Sequence, residues 1–178
     1  TLLEANKSNE AGFWESVAIN RLNDKIFHTF DTNWRSWQPL PTDWLHKSSL
    51  TALRKEALDT LLEEFDSAPS ILLKDPRFCR LMPFWLPVLE EFEMQPVIVC
   101  PIRNPLESAV SLEQRNGLPQ ALGLLIWLRY QLEVEYDTRG RPRSFTHYNA
   151  LLADWRKVIN KIFLETACTL PKISSETE

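Results

Sequence analysis

The chain has 178 residues, of which 44% are hydrophobic and 25% are charged, and its formal net charge at pH 7 is −4. This length and composition suit one globular domain with its own core, while the acidic balance argues against a nucleic-acid partner, which would need a basic surface. No apolar run approaches the roughly 18 residues of a membrane span, and the polar opening TLLEANKSNE does not match a signal peptide, so we expect a cytoplasmic protein.

Periodic apolar spacing predicts helices over 13–30, 50–65, 84–93, 105–115, 119–136 and 149–163. Short apolar runs predict buried strands over 70–74, 96–102 and 143–147. Pro83 and Pro87 are expected to confine the start of the third helix. Residues 31–49 are rich in tryptophan and proline but show little periodicity, so we predict an irregular loop that joins the core, with a lid or an acceptor-binding surface as alternatives.

The alternation of strands and helices predicts a single α/β domain over residues 1–170 with a parallel sheet, followed by a flexible tail over 171–178. Three strands make a small sheet for this length, so we expect a further strand before residue 1. The three cysteines are widely spaced and lack a CxxC pair, which favours free thiols. The scattered histidines lack the spacing of zinc ligands, so no metal site is predicted.

The stretch VIVCPIRNPLESAVS, residues 97–111, contains the most specific pattern in the chain. A buried strand ends there on Arg103, Asn104 suits the N-cap of the next helix, and the proline after it suits the first helical turn. Ligands of parallel sheets bind beyond the carboxyl ends of the strands, and helix N-termini attract anions. Because Ser108 and Ser111 share a helix face, the sequence predicts a phosphate clamp, with a merely capped helix and an exposed arginine as the alternative.

Five further positions carry groups that suit group-transfer chemistry. Lys74 and Arg77 flank the turn in KDPRF, where two cations could face an anionic leaving group or simply be solvated. Glu15 is predicted to open the first helix beside two aromatic residues. An apolar setting would raise the pKa of its carboxyl and make it a general base. The alternative is an ordinary glutamate whose negative charge is stabilised by the helix dipole. Asp75 is a competing base, and Tyr148 could stack on a ligand ring or pack in the core.

These residues resemble the sulfotransferases that use PAPS (3′-phosphoadenosine 5′-phosphosulfate), particularly the bacterial carbohydrate-type members. The family's 3′-phosphate motif is a strand leading into an arginine, often Arg-Asn-Pro, with a serine eight positions later, as at Arg103 and Ser111. ILLKDPR resembles the family's strand-plus-lysine segment near the transferred group, and FTHYNALLADW resembles the segment whose tyrosine, here Tyr148, approaches the adenine. SNEAGFWES resembles the stretch in which some members place a catalytic glutamate, here Glu15.

The resemblance, which covers roughly residues 4–163, implies a P-loop NTPase-like three-layer sandwich. It implies transfer of a sulfuryl group from PAPS to a hydroxyl or amine of an acceptor, expected to be a carbohydrate or glycoconjugate, with adenosine 3′,5′-bisphosphate (PAP) as product. The implied catalytic residues are Glu15, Lys74 and Arg77, and the implied donor-binding residues are Arg103, Ser111, Ser108 and Tyr148.

One part of the family pattern has no counterpart in the chain. The family's 5′-phosphosulfate loop is a glycine-containing, P-loop-like turn, and the four glycines of this sequence do not form one, so we expect the loop upstream of Thr1. Two other functions therefore stay open, namely a P-loop-type nucleotide kinase or hydrolase and a non-catalytic sulfotransferase-like binding protein.

Overall fold

The computed structural model describes residues 1–4, 12–66 and 68–168, so the tail predicted over 171–178 lies outside the described residues. The helices are α1 (Val17–His28), α2 (Ser49–Phe65), α3 (Phe78–Glu91), α4 (Pro105–Asn116), α5 (Gln120–Asp137), α6 (Tyr148–Ala153) and α7 (Trp155–Thr166), and a 3₁₀ turn spans Trp44–His46. The strands are β1 (Ile98–Ile102) and β2 (Arg143–His147). None of the helices in these ranges is both long enough and apolar enough to cross a lipid bilayer.

The two strands pair in parallel, with Ile98 opposite Arg143 and Ile102 opposite His147. The chain runs from β1 through α4 and α5 to β2, so both strands end at the same edge of the sheet. A mixed α/β architecture with a small parallel sheet is therefore confirmed. Among the described residues the sheet contains two strands, with β2 as the neighbour of β1.

The strand predicted over residues 70–74 is wrong, because this segment pairs with no strand in the described part of the chain. Ile71 and Leu73 pack instead against the helical core, while Leu72, between them, is 91% exposed. The apolar run that suggested a strand therefore reflects the burial of one side of an irregular segment. An apolar run alone does not distinguish these two outcomes.

The third helix begins six residues earlier than predicted, at Phe78, and contains both Pro83 and Pro87 in its interior. Each proline removes one backbone donor and normally breaks or kinks a helix. The burial of this helix offsets that cost, since Phe84 and Trp85 are both fully buried in the main core. Tertiary packing has outweighed the local preference here.

Two other helix boundaries differ from the prediction because of side-chain caps. The first helix begins at Val17, since the Ser16 hydroxyl accepts a hydrogen bond from the Ile19 amide at 3.2 Å. The closing helix divides into α6 and α7 at Asp154, whose carboxylate accepts a hydrogen bond from the Lys157 amide at 3.0 Å. Each cap satisfies an otherwise unpaired amide at the start of a helix.

Close packing between α4 and α5 holds the strand ends in place. A Cβ atom added at Gly123 on α5 would lie 3.0 Å from the Cα atom of Ala109, which is fully buried on α4. The predicted cap of α4 is confirmed, because the Asn104 side chain accepts a hydrogen bond from the Leu106 amide at 2.9 Å and a proline occupies the first turn. The start of α4 is thereby fixed directly beyond the end of β1.

Candidate functional site

A pocket of about 500 Å³ opens at the carboxyl ends of the two strands. Arg103 follows β1 directly, Tyr148 follows β2 directly, and the last residues of these strands are paired in the sheet. The side chains consequently meet, with the Arg103 guanidinium carbon 5.3 Å from the centre of the Tyr148 ring. The residues that line this strand-end pocket are Ile102, Arg103, Asn104, Pro105, Trp127, His147, Tyr148 and Asn149.

Three neighbours orient Arg103 at the mouth of this pocket. Its backbone carbonyl accepts a hydrogen bond from Nε1 of Trp127 at 3.1 Å, which ties the end of β1 to α5. Its Nε donates to Oε2 of Glu107 at 3.2 Å, and both side chains are nearly half exposed. Because its guanidinium carbon also lies over the Tyr148 ring, the guanidinium is held while staying accessible to an anion.

The two predicted serines do not line the pocket. The Ser108 hydroxyl donates a hydrogen bond to the Asn104 carbonyl at 3.0 Å, so its proton is used within α4. Ser111 lies about one turn further along the same helix. The structure thus brings Arg103 and Tyr148 together, and the role of Ser111 stays a prediction.

Sequence reasoning missed three of the residues that line the pocket. Trp127 belongs to a long helix with many apolar residues, and nothing in its sequence context distinguishes it from a core tryptophan. His147 and Asn149 flank Tyr148, and the rule that ligands bind beyond parallel strands would have included both.

A second group of residues, here called the acid–base cluster, joins Glu15, Lys74 and Arg77 from two separate segments. Lys74 Nζ lies 2.7 Å from Oε1 of Glu15 and also donates to the Phe13 carbonyl at 2.9 Å. Asn20 Nδ2 donates to Oε2 of Glu15 at 2.9 Å, and Nη1 of Arg77 lies 3.9 Å from the same oxygen. Only 5% of Glu15 is exposed, whereas half of the Lys74 side chain is open to solvent.

This geometry corrects the prediction for Glu15. Glu15 precedes the Ser16 cap and lies outside α1, and its carboxylate is buried among cationic and amide groups. An apolar setting beside two aromatic residues was expected, and the structure has an ion-paired one. The reason is that the fold brings Lys74, 59 positions away in the sequence, into contact with Glu15. The residues next to Glu15 in the sequence do not reveal this contact.

Asp75, the competing candidate base, is fully engaged in holding Arg77. Its side chain is 1% exposed, and Oδ1 accepts hydrogen bonds from the backbone amide and Nη1 of Arg77 at 2.8 and 3.1 Å. Burial raises the pKa of Asp75, while Arg77 and a hydrogen bond from Asn23 oppose that rise. Asp75 therefore holds the Arg77 guanidinium in position.

The charge on Arg77 is secured by two carboxylates. Burial lowers the pKa of Arg77, but Asp75 and Asp24 outweigh that effect, so the pKa is raised above the usual arginine value. Arg77 Nε donates to Asp24 Oδ1 at 2.9 Å. The cluster therefore presents a buried carboxylate beside one fixed cation and one solvent-facing cation.

No family model, curated protein or solved structure gave a significant match to this chain.

Proposed function

We propose that this chain is a PAPS-dependent sulfotransferase that transfers a sulfuryl group to a hydroxyl or amine of a carbohydrate acceptor. The observation that carries the proposal is that the Arg103 guanidinium lies over the Tyr148 ring and that both residues line the strand-end pocket. A guanidinium binds a phosphate through parallel hydrogen bonds, and an aromatic face binds a nucleobase. An adenosine 3′-phosphate presents both of these groups.

The strand-end pocket fits the nucleotide part of such a donor. Its volume of about 500 Å³ lies within the range of small-molecule sites, and Trp127 and Tyr148 provide aromatic walls. Arg103 would hold the 3′-phosphate and Tyr148 the adenine. The donor supplies the activated sulfuryl group, and no residue of the sequence matches the family's 5′-phosphosulfate loop, so no residue is proposed for that part.

The P-loop NTPase-like arrangement of the sheet is part of the same proposal. Within the described residues β1 pairs with a strand along one edge only, so another parallel strand would pair along its other edge. A strand at that edge would extend the sheet toward the P-loop NTPase-like sandwich that the family resemblance implies. It would also cover the backbone donors and acceptors on the unpaired edge of β1.

The acid–base cluster suits the chemistry of the transfer. The acceptor oxygen would form a bond to sulfur while the bond between sulfur and the 5′-phosphate oxygen breaks, leaving that electron pair on the phosphate. Glu15 would take the acceptor proton, since its carboxylate has further lone pairs beyond those used by Lys74 and Asn20. Lys74 and Arg77 would stabilise negative charge on the departing oxygen and the sulfuryl group.

Titration calorimetry with PAP tests the donor site. Arg103→Ala should abolish PAP binding because it removes the only group in the proposal that pairs with the 3′-phosphate. Glu107→Gln should strengthen binding severalfold, since the carboxylate that competes for Arg103 at 3.2 Å is neutralised. Arg115→Ala, in the last turn of the same helix, is the matched control and should leave binding unchanged.

Three results would contradict the proposal. Equal PAP affinity in Arg103→Ala and wild type would remove the phosphate clamp. Binding of ATP in preference to PAP would favour the kinase or hydrolase. PAP binding without sulfuryl transfer to any acceptor, in a chain that carries a 5′-phosphosulfate loop, would favour the non-catalytic binding protein.

A further inference from the structure

Four backbone carbonyls in residues 34–38, here called the Trp37 loop, each receive a hydrogen bond from a distant side chain. Tyr130 donates its hydroxyl proton to the Trp34 carbonyl at 2.8 Å, and Arg129 Nε donates to the Trp37 carbonyl at 2.9 Å. Arg80 donates from Nη1 to the Ser36 carbonyl at 2.8 Å and from Nη2 to the Gln38 carbonyl at 2.6 Å. The loop backbone is therefore fastened to α3 and α5 along its whole length.

Arg80 is an unusual residue to use for this purpose. Its side chain is 0% exposed, and burying a guanidinium carries a large desolvation cost unless every donor is paired. Its Nε donates to Glu133 Oε2 at 2.7 Å, and its guanidinium carbon lies 5.5 Å from the Phe27 ring centre. The buried Arg80 guanidinium thus fixes the backbone conformation of a surface loop.

The side chain that this rigid backbone displays is an indole. Trp37 is 43% exposed, and its exposed neighbours Arg35 and Gln38 offer polar donors beside it. The Arg35 guanidinium carbon lies 5.1 Å from the Trp34 ring centre, so this cation is also held in place. An aromatic face whose backbone is already ordered loses little conformational entropy when a ligand binds to it.

The Trp37 loop lies beside the acid–base cluster. Arg80, which holds the loop, lies in the first turn of α3, three residues after the N-cap residue Arg77. Tyr130, which holds the other end of the loop, has its ring centre 5.8 Å from the Arg80 guanidinium carbon. The Trp34 end of the loop is thereby connected, through Tyr130 and Arg80, to the part of α3 that begins at the Arg77 cap.

We propose that Trp37 is the acceptor-stacking residue and that the acceptor is a saccharide, an inference that rests on the proposed function for the identity of the reaction. The apolar face of a sugar ring would lie on the indole, and the sugar hydroxyls would receive hydrogen bonds from Gln38 and Arg35. A five-residue loop is too small for a stable protein–protein interface, which buries roughly 800 Å² on each partner. A single pyranose ring matches the area of one indole.

Calorimetric titration with cellotetraose, chitotetraose and unsulfated chondroitin hexasaccharide tests this assignment. The wild type should bind at least one of them, and Trp37→Ala should weaken that binding about tenfold or more, because an aromatic contact of this size contributes on that order. Trp37→Phe should retain most of the affinity. Trp155→Ala is the matched control, since Trp155 on α7 is 44% exposed and should not affect saccharide binding.

The outcomes separate this inference from the proposed function. It is overturned if none of the three saccharides binds, if Trp37→Ala changes the affinity by less than about twofold, or if Trp155→Ala has the same effect. PAP binding without Trp37-dependent saccharide binding refutes only the inference. Trp37-dependent saccharide binding in a protein that does not bind PAP refutes only the sulfotransferase proposal.

Discussion

Replacing Arg80 by methionine should destabilise the fold and loosen the Trp37 loop at the same time. Methionine has a similar length and suits an apolar setting, so packing against Phe27 and Tyr130 is largely kept. What is lost is the pairing of three donors, which leaves the Ser36 and Gln38 carbonyls and Glu133 without their shared partner.

The magnitude follows from the burial of this arginine. Glu133 keeps Arg129 as a partner at 3.6 Å, so the loss of Arg80 costs less there than the about 3–5 kcal/mol of a fully buried ion pair. The Ser36 and Gln38 carbonyls also lose their donor, at about 1–3 kcal/mol for each group that stays buried. Water can reach Glu133, whose side chain is 20% exposed, so the individual hydrogen-bond penalties do not add in full. We expect a loss of about 3–5 kcal/mol in the free energy of unfolding, which corresponds to a fall in Tm of roughly 6–20 °C for a domain of this size.

Urea denaturation and amide hydrogen exchange measure the two effects. Arg80→Met should lower the midpoint at an unchanged m-value and speed amide exchange across the Trp37 loop. Arg139→Met is the matched control, because that arginine pairs with Glu135 on the exposed surface and should matter little. If both variants unfold at the same urea concentration, the assignment of Arg80 as a buried fastening for the loop is refuted.

Two further predictions concern titratable groups that are partly or fully buried. Burial, and then the nearby Glu133 carboxylate, raise the pKa of Asp137 to about 6, so its contribution to stability is present below its ordinary pKa of 3.8 and is lost as the pH rises through about 6. Asp137→Asn should therefore raise the free energy of unfolding at about pH 8 but not at about pH 4, and an equal gain at both would contradict this. Burial raises the pKa of Cys79 to about 12 and that of Cys100 to about 11, so iodoacetamide should alkylate neither thiol appreciably at about pH 8 in the native protein. Mass spectrometry that finds either thiol modified as fast as in urea would refute their assignment as inert.

The candidate site was predictable only in part. Parallel pairing makes successive strands end at one edge, so the residues that follow β1 and β2 had to meet, and Arg103 and Tyr148 do. Ser108 and Ser111 share a helix face, but whether that face points toward the pocket depends on how α4 packs on α5. The spacing of residues along a helix does not determine that rotation.

The sequence by itself determined the local features that depend only on interactions between residues a few positions apart. Asn104 caps α4 because its short amide reaches an amide two positions ahead, and the apolar β1 run ends on a charged residue at the sheet edge. Tertiary structure alone decided the helical state of residues 78–83 and the ion-paired state of Glu15. Both depend on groups brought from far along the chain, whose burial and charge outweigh local preferences and cannot be predicted from neighbouring residues.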